Sequence, residues 1–477
     1  MSEIREECGV FGIFSKSTYD IARSVYYGLF ALQHRGQESC GIVVNDNGLF
    51  ASYKDAGIVN DVFTPEVLES LGQGNIAIGH VRYGTADEKG RTNAQPIVVN
   101  HIKGRMALAN NGSLTNYVEL REKLELEGHI FHSTSDAEII ANILTLERIK
   151  TASIEDALNN AMHIIKGAYS LAVMTATKLV AARDENGIRP LCYGETEDGT
   201  YVIASESCAL DSAGAKYIRD LKPGEIVVFE KEGIRSITDH CNKRTPSLCV
   251  FEYIYFARPD SIIDGVSVHE ARLRAGAFLA TEHPVEADVV IGVPDSGIDA
   301  AIGYSRQSGI PYGVGLIKNK YIGRTFIAPK QSDRETLVKI KLNPVSSTVK
   351  GKRVILIDDS IVRGTTGKKI VKLLRDAGAT GIHMRLASPT FLNPCYYGTD
   401  IASREVLLAC NHTIEEMAKI IGVDSLAFLS IDNARRLACP EGCANYCLAC
   451  FDGIYPTEIY ATQRKKKYDF RIGETNQ

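Results

Sequence analysis

Hydrophobic and polar positions divide the chain into two regions of different pattern. The first region contains short apolar runs that end in Gly, Asn or other polar residues, as strands do at their turns: CGVFGIF at 8–14, CGIVVN at 40–45, NIAIGHV at 75–81 and RMALAN at 105–110. Between residues 115 and 165 the apolar spacing becomes helical, and strand-like runs return with YSLAVMTAT and KLVAARD. Blocks of strands, helices and strands predict sheets covered by helices in a layered α+β domain.

The second region alternates strand and helix patterns. ADVVIGVPDSG leads into a helix-compatible run at 298–308, GKRVILIDDS leads into TTGKKIVKLLRDAG, and TGIHMRLAS follows as a further strand. Buried apolar runs joined by crossover helices predict a parallel sheet. The polar segment 232–247 between the two regions lacks periodicity and is predicted to be a linker or domain crossing.

Composition narrows the class of protein. A chain of 477 residues with 44% apolar and 23% charged residues is an ordinary globular chain, long enough for two or three domains. A net charge of −4 gives no reason to expect a nucleic-acid or acidic-membrane partner. No apolar run approaches the roughly 20 residues that span a bilayer, and the N-terminal sequence lacks the order of a signal peptide. We therefore expect a cytoplasmic protein, in which twelve cysteines do not indicate a disulfide framework.

Residues 354–366, VILIDDSIVRGTT, are the most informative stretch of the second region. A predicted strand ends on Asp358 and Asp359, and a Gly-Thr-Thr sequence then opens a helix. Loop N–H groups, the positive helix end and two hydroxyls can bind a phosphate at the carboxyl end of a parallel strand. Because carboxylates repel phosphate, the two acids are better interpreted as partners of a ribose diol or of Mg²⁺. An acidic helix cap would explain only one of them.

The same stretch resembles, position for position, the phosphoribosylpyrophosphate (PRPP) motif of the type I phosphoribosyltransferases. The resemblance implies an α/β domain with a mostly parallel sheet and one Mg²⁺ per subunit, bound with PRPP. Asp358 and Asp359 would hold the ribose hydroxyls and the metal, and VPDSG at 293–297 resembles a second loop, in which Ser296 would help to position the metal-bound diphosphate. The residues expected to wrap around the 5′-phosphate are Ser360, Arg363, Gly364, Thr365 and Thr366.

Cys8 follows MSEIREE and stands at the start of a strand with two glycines nearby. Such a cysteine is usually a small core residue. If residues 1–7 were removed, however, its thiol and a free α-amine would belong to one residue. An α-amine has an ordinary pKa of about 7.7 to 8.0, so near neutral pH it can accept the thiol proton. The position therefore allows a nucleophile that carries its own base.

Four further segments place Arg, Asn-Gly and Asp at strand ends and turns: LQHRGQES at 32–39, GHVRYGT at 79–85, NNGSLTN at 110–116 and STSDAE at 133–138. With CGVFGIF they resemble the glutaminase domain of the N-terminal nucleophile amidotransferases, an αββα sandwich. The resemblance implies that Cys8 is the nucleophile and that Asn111 and the backbone of Gly112 form the oxyanion hole. Glutamine would be bound by its α-carboxylate at Arg82 and by its α-ammonium at Asp136, with Arg35 beside the nucleophile. Each residue alone could be a surface ion pair or a turn residue, but their joint occurrence in family order argues against that interpretation.

A glutaminase region followed by a PRPP site resembles one family along essentially the whole chain, the glutamine PRPP amidotransferases. The resemblance implies an enzyme that makes 5-phospho-β-D-ribosylamine, glutamate and pyrophosphate from PRPP, glutamine and water, at the first committed step of purine synthesis. It implies a propeptide at 1–7, a glutaminase domain at 8–235 and a phosphoribosyltransferase domain at 236–477. Purine nucleotides are the expected feedback inhibitors, and the expected assembly is a homotetramer.

The reaction scheme implies two further features. Free ammonia would be protonated and lost in water, so an enclosed path between the two sites is expected. The segment KNKYIGRTFIAP at 318–329 resembles the family's mobile loop over PRPP, with polar anchors at Asn319, Lys320, Arg324 and Thr325.

The segment CPEGCANYCLAC at 439–450 crowds four cysteines, which by themselves could hold zinc or a [4Fe-4S] cluster. The resemblance implies a different set of ligands for one [4Fe-4S] cluster per subunit, as in the longer, processed branch of the family. Two near ligands would be Cys447 and Cys450, and two distant ligands Cys249 and Cys395. The remaining two cysteines of the segment would then be helix or core thiols.

Three other classes fit less of the chain. A regulatory PRPP sensor built on the second region would have no use for the glutaminase residues. An iron–sulfur redox carrier would leave both substrate sites idle, and a glucosamine-phosphate synthase would lack VILIDDSIVRGTT.

Overall fold

The computed structural model describes residues 8–83, 91–319, 342–399, 401, 403–439 and 445–460. The strands of the N-terminal half are β1 (Gly9–Tyr19), β2 (Ser39–Asp46), β3 (Leu49–Ala56), β4 (Gly74–Arg82), β5 (Ile97–His101), β6 (Gly104–Asn111), β7 (Ser170–Thr175), β8 (Leu179–Arg183), β9 (Cys192–Glu195), β10 (Tyr201–Ala204), β11 (Lys216–Asp220), β12 (Ile226–Glu230) and β13 (Gly233–Ile237). Its helices are α1 (Ile21–Ala31), α2 (Val59–Val62), α3 (Pro65–Leu71), α4 (Tyr117–Leu126), α5 (Asp136–Lys150), α6 (Ile154–Ile164) and α7 (Ser207–Ser212), with a 3₁₀ turn at Arg91–Asn93.

Two antiparallel sheets form the centre of this half. Their strand orders are β11-β9-β10-β1-β4-β2-β3 and β13-β12-β8-β7-β6-β5. Apolar side chains from both sheets meet in one buried layer between them, which includes Val10, Ile78, Ala109 and Phe229. Helices α1 and α7 cover the outer face of the first sheet, and α5 and α6 cover the second. The predicted αββα sandwich is therefore confirmed.

The interior strands read as nearly continuous apolar runs because both faces of each sheet are covered. The first seven residues of β1 are buried, and β1 pairs with β10 on one side and β4 on the other. Cys8 therefore stands at the entrance of a central strand.

The C-terminal half contains strands β14 (Leu248–Cys249), β15 (Ile262–Ile263), β16 (Val266–Ser267), β17 (Val289–Gly292), β18 (Leu316–Lys318), β19 (Leu342–Pro344), β20 (Arg353–Asp358), β21 (Gly381–Leu386), β22 (Ser425–Phe428) and β23 (Tyr446–Cys447). Its helices are α8 (Val268–Glu282), α9 (Ile298–Ser308), α10 (Ser346–Val349), α11 (Thr365–Asp376), α12 (Leu408–Asn411), α13 (Ile414–Ile421), α14 (Ile431–Arg435) and α15 (Ala449–Asp452), with a π-helix at Glu252–Phe256 and a 3₁₀ turn at Arg404–Val406.

A four-stranded sheet of order β17-β20-β21-β22 organises this half, and all of its pairs are parallel. The predicted helix at 298–308 is α9, and the helix predicted after Gly364 is α11. The strongly amphipathic α11 buries Ile370, Val371 and Leu374 against the sheet. The predicted parallel sheet with crossover helices is thus confirmed.

The segment 232–247 differs from the sequence-based prediction of a linker. Its first part is strand β13, which pairs with β12 and extends the glutaminase sheet to Ile237. The predicted domain boundary between 235 and 236 therefore falls inside a strand. The pattern was misleading because β13 is an edge strand with no fully buried residue, so its sequence GIRSI lacks the apolar run of an interior strand.

Among the described residues, no helix is both long and apolar enough to cross a membrane.

Candidate active sites

Cys8 lies half-buried at the start of β1, with its Sγ 4.0 Å from the carbonyl oxygen of Tyr83. Tyr83 directly follows β4, the strand antiparallel to β1. The sheet thus brings the entry of β1 and the exit of β4 together. Residues 1–7, the predicted propeptide, lie outside the described residues.

Arg35 and Arg82 flank this point. The Arg35 Nε donates a hydrogen bond to the Cys8 carbonyl oxygen at 3.0 Å, so Arg35 lies beside Cys8. Gly36 allows its segment to pass close to β4, because a Cβ there would lie 2.6 Å from the carbonyl carbon of Arg82. Arg82 itself ends β4 opposite Ser39 of β2, and it is 7% exposed. Both arginines are therefore fixed by backbone packing.

Asn111 ends β6 in the second sheet, and its buried amide is unusual. Neither Oδ1 nor Nδ2 of Asn111 has a hydrogen-bond partner among the described residues, although the residue is only 1% exposed. Leaving a buried polar group unsatisfied costs about 1–3 kcal/mol, so such a group calls for a ligand or a function. Gly112 follows with φ +128°, and a Cβ there would lie 2.4 Å from the Ala168 carbonyl oxygen. Only glycine fits this position.

His80 connects the two sheets at this edge. It stands on β4 opposite Val10, and its Nε2 lies 3.0 Å from the carbonyl oxygen of Asn110. Complete burial lowers the pKa of His80 to about 3, so the imidazole is neutral at physiological pH. His80 thereby places the end of β6 next to the start of β1 without adding a charge.

Asp136 is the first residue of α5, and its Oδ2 accepts a hydrogen bond from the Leu114 N–H at 2.8 Å. This bond holds the loop that follows Gly112 against the N-terminus of the helix. The structure therefore brings the six predicted glutaminase residues, which come from five segments of the chain, to one end of the sandwich.

A second site lies at the carboxyl ends of β17 and β20, which are parallel neighbours. The Ser296 hydroxyl donates to Asp359 Oδ1 at 2.7 Å, and the Asp359 N–H donates to Asp358 Oδ1 at 2.9 Å. Burial and the neighbouring Asp359 raise the pKa of Asp358 well above its ordinary value. Asp358 and Asp359 are both buried, and no cationic side chain among the described residues pairs with Asp358. The two carboxyl groups therefore form a site that favours a cation.

The loop after these acids leads directly into α11. Ser360 is buried and donates to Asp359, whereas Arg363 and Thr365 are exposed at the loop and first helical turn. Gly364 is the residue before the helix, with φ +78°, and Thr366 is half-buried. Successive N–H groups at a helix N-terminus are a common phosphate site. Of the predicted mobile loop at 318–329, the described residues include only 318 and 319, and Lys318 forms a 2.7 Å ion pair with Asp295.

The four predicted cluster ligands, two near and two distant in sequence, line one cavity. Cys249, Cys395, Cys447 and Cys450 line this cavity together with Phe251, Phe391, Tyr397, Arg189 and other residues. Cys439 does not line it and is disulfide-bonded, so the prediction that it is a helix or core thiol is wrong. Cys443 lies outside the described residues.

Three short elements hold three of these cysteines, and Cys395 lies in the loop from 391 to 399. Cys249 and Cys447 are paired residues of the parallel strands β14 and β23, and the carbonyl oxygen of Cys450 in α15 accepts from the N–H groups of Leu392 and Asn393. Burial raises the pKa of Cys447 to about 12, and burial together with the other three cysteines raises that of Cys450 well above its usual value. Thiols in such a place stay protonated unless a cation replaces their protons.

No three His, Cys, Asp or Glu side chains in the described ranges converge on a point where one metal ion could bind. Neither predicted metal group requires that arrangement. Mg²⁺ is usually held by one or two carboxylates, with substrate phosphates and water completing its shell. A cubane cluster takes each thiolate on a different iron, so its ligands line a cavity.

A buried charged network next to Cys8 escaped the sequence analysis. Arg35 forms ion pairs with Glu206 and, through both terminal nitrogens, with Glu252. Glu252 also pairs with Arg189 at 3.4 Å, and all four side chains are fully buried. The one available signal was the single acid inside the apolar run VFEYIYF at 250–256.

Comparison with known proteins matches both halves. The family model of the glutamine amidotransferase domain matches residues 80–212, and the family model of the phosphoribosyl transferase domain matches residues 267–398. Amidophosphoribosyltransferases of Methanocaldococcus jannaschii and Bacillus subtilis are 48% and 47% identical to the chain, over 95% and 96% of it and 98% and 95% of their own lengths. The chain belongs to the amidophosphoribosyltransferase family.

A solved structure from this family gives the same result. The glutamine PRPP amidotransferase of B. subtilis, complexed with ADP and GMP, superposes with a TM-score of 0.89 at 46% identity, covering 96% of this chain and 99% of that one. The predicted two-domain fold, the family and the amidophosphoribosyltransferase activity at the start of purine synthesis are thereby confirmed. The individual residue roles and the cofactors stay predictions.

Proposed function

We propose that the chain acts through two separate sites, a glutaminase centred on Cys8 and a PRPP site centred on Asp358 and Asp359. The observation that carries this proposal is the buried Asn111 amide, whose two polar atoms lack described partners beside the nucleophile strand. A preorganised donor that has no partner among the described residues is suited to a charge that develops only during reaction.

In the glutaminase half, removal of residues 1–7 gives Cys8 a free α-amine, which takes the thiol proton. The thiolate attacks the side-chain carbonyl of glutamine, and the developing oxyanion is held by Asn111 Nδ2 and the Gly112 N–H. Ammonia leaves, and water hydrolyses the thioester to glutamate. Arg82 and Asp136 bind the α-carboxylate and α-ammonium of the substrate.

In the phosphoribosyltransferase half, Asp358 and Asp359 face the ribose hydroxyls and one Mg²⁺, and Ser296 orients Asp359. The loop from Ser360 to Thr366 binds the 5′-phosphate at the start of α11. The bound Mg²⁺ would neutralise the diphosphate charge. Ammonia then displaces pyrophosphate at the anomeric carbon with inversion, which gives 5-phospho-β-D-ribosylamine.

We further propose that Cys249, Cys395, Cys447 and Cys450 hold a [4Fe-4S] cluster in the cavity that they line. The cluster would crosslink β14, the loop from 391 to 399 and the last described helix, and so contribute to folding. Purine nucleotides are proposed as inhibitors, supported by the ADP and GMP complex of the B. subtilis relative. A homotetramer is the proposed assembly.

Intact mass of the purified, active enzyme tests the processing step. We expect a chain that begins at Cys8, because only then can the residue supply both thiol and amine. An enzyme that hydrolyses glutamine while retaining Met1 to Glu7 would contradict the proposed role of the amine.

Iron analysis of anaerobically purified protein tests the cluster. We expect about four irons per chain and a brown colour that is bleached by oxygen. Serine at Cys249, Cys395, Cys447 or Cys450 should abolish iron binding. Cys410→Ser is the matched control, because Cys410 donates to the Leu392 carbonyl oxygen of the same loop but does not line the cavity.

Two results would change the cluster assignment. Iron that survives serine at Cys249 and Cys395 but is lost with serine at Cys439 and Cys443 would transfer the site to the local set. Zinc in place of iron after anaerobic purification would remove the cluster and leave both catalytic proposals untouched.

A further inference from the structure

Glu252 lies in the C-terminal half, yet its carboxylate contacts the machinery of the glutaminase half. Its Oε1 and Oε2 accept from Arg35 Nη2 at 2.8 Å and Nη1 at 2.9 Å. The same guanidinium donates through Nε to the carbonyl oxygen of Cys8 at 3.0 Å. A planar guanidinium that is clamped at one edge by a bidentate carboxylate has a fixed direction for its Nε–H. Glu252 thus controls the group that holds the backbone of Cys8.

Through Arg189, the Glu252 carboxylate is also connected to the segment that packs against Gly112, the proposed oxyanion-hole residue. Its Oε1 accepts from Arg189 Nη1 at 3.4 Å, and Arg189 donates through Nε and Nη2 to the carbonyl oxygen of Tyr397 at 3.1 and 2.8 Å. The next residue, Gly398, lies so close that a Cβ on it would be 3.6 Å from Cα of Gly112 and 3.5 Å from Arg189 Nη2. One carboxylate therefore links both the nucleophile and Gly112 to the C-terminal half.

Buried charges restrict the geometry of the network formed by Arg35, Arg189, Glu206 and Glu252. The side chains of Arg35, Arg189, Glu206 and Glu252 are 0% exposed, so two positive and two negative charges are balanced without water. Burial alone would raise the pKa of Glu206, but the combined effects of His34, Arg35 and the hydrogen bonds it accepts outweigh burial and leave that pKa below its ordinary value. Removing one partner of a buried charge network leaves the others uncompensated, so the geometry has few alternatives.

The link also has a defined origin in the C-terminal half. Glu252 opens the π-helix at Glu252–Phe256, three residues after Cys249, and Cys249 is paired with Cys447. The three carbonyl groups of Tyr253, Tyr255 and Ala257 accept from the buried Arg272 of α8. The position of the Glu252 carboxylate is therefore set by the domain that contains the PRPP site.

We propose that Glu252 is a positioning residue for glutamine hydrolysis, which orients Arg35 beside Cys8 and Arg189 beside the segment that covers Gly112. The inference rests on the proposed roles of Cys8 and Gly112. It gives the C-terminal half a direct part in the glutaminase reaction, through a residue that touches neither substrate.

The test compares Glu252→Gln with a matched ion pair. Arg183 and Asp264 also join the two halves through a bidentate contact at 2.8 and 3.0 Å. Arg183 donates to the backbone carbonyl oxygen of Arg189, but neither residue of the pair contacts Cys8 or Gly112 in the described structure. For Glu252→Gln we expect kcat for glutamine to fall about 10²-fold with KM within about threefold of the parent, because small misplacement of reacting groups costs rates of this order. Synthesis from PRPP and ammonium should stay within about threefold.

Asp264→Asn should lose thermal stability while both glutamine-dependent and ammonium-dependent kinetics stay near the parent values. If Glu252→Gln instead behaves like Asp264→Asn, or loses both activities equally, Glu252 serves the fold and the inference is wrong. If Glu252→Gln does not fold, Glu252→Asp gives the same comparison, because it keeps the charge but shortens the side chain. A Cys8→Ala enzyme that still used glutamine would instead overturn the proposed function.

Discussion

In the phosphoribosyltransferase half, Asp358, Ser360 and Thr365 come from one strand, one loop and one helix that are contiguous in the chain. The glutaminase half instead collects Cys8 from the first sheet and Asn111 from the second. In the site that is contiguous in sequence, Asp358 is buried next to another acid. In the site that is dispersed in sequence, the charges of the buried network beside Cys8 balance one another. This difference fits the proposed roles, in which the first site would take a cation together with its substrate, whereas the charges beside Cys8 are balanced before substrate binds.

The largest expected effect comes from removing the contiguous site. Replacing Asp358 and Asp359 by Asn should lower phosphoribosylamine synthesis by about 10³-fold or more from either glutamine or ammonium, since carboxylates that hold the metal and ribose contribute several kcal/mol. Glutaminase activity and circular dichroism should survive. Steady-state assays with each nitrogen source provide the measurement, and unchanged PRPP affinity in the double variant would refute the assignment.

A smaller effect is expected from the dispersed site. Asn111→Ala should lower kcat for glutamine by about 10²–10³-fold with little change in KM, because an oxyanion donor acts mainly in the transition state. Its free energy of unfolding should not fall, since the Asn111 amide has no hydrogen bond to a described residue that could be lost.

Asn45→Ala is the control for this prediction. Asn45 is also buried, but its amide donates to the Ala176 carbonyl oxygen and accepts from the Gly48 N–H. Its loss should cost about 1–3 kcal/mol of stability and leave glutaminase kinetics unchanged. If Asn111→Ala were the destabilised variant and retained full kcat, the Asn111 amide would be structural.

The smallest effect concerns stability without substrate or metal. Asp358 has a raised pKa in the folded protein, so its favourable contribution is present at low pH and is lost as pH rises through that raised value. Asp358→Asn should therefore stabilise the protein at pH 8. The gain should vanish near pH 4, as measured by urea unfolding in EDTA.

Asp288 offers a control of opposite sign. Hydrogen bonds from Arg353 lower the pKa of this carboxyl, so its contribution is present above the ordinary carboxyl range and is lost as pH falls. Asp288→Asn should destabilise at neutral pH. If Asp358→Asn also lost stability at pH 8, the folded protein would not disfavour the charged form of Asp358.

The contrast between the two sites also explains what the sequence could predict. VILIDDSIVRGTT contains its strand, loop and helix start in one stretch, so local pattern and chemistry were sufficient to predict these elements and a candidate phosphate site beside them. The glutaminase residues needed a family resemblance, because their proximity depends on how two sheets pack. Glu252 could not be predicted, because it meets Arg35 across 217 residues of sequence and Arg189 joins Tyr397 across 208. Strand β13 was missed because an edge strand needs no apolar run.

The coupling of the two sites is tested most directly by an isotope competition. Enzyme is supplied with PRPP, glutamine labelled with ¹⁵N at the side-chain amide, and unlabelled ammonium, and the nitrogen of the phosphoribosylamine is analysed by mass spectrometry. Cys8→Ala is run in parallel with the parent enzyme. We expect the parent product to carry ¹⁵N in excess of its share in free ammonium, and the Cys8→Ala product to form at an undiminished ammonium-dependent rate without label. Label in the Cys8→Ala product, or a parent product whose label only matches the free ammonium, would contradict a Cys8 glutaminase that feeds the PRPP site.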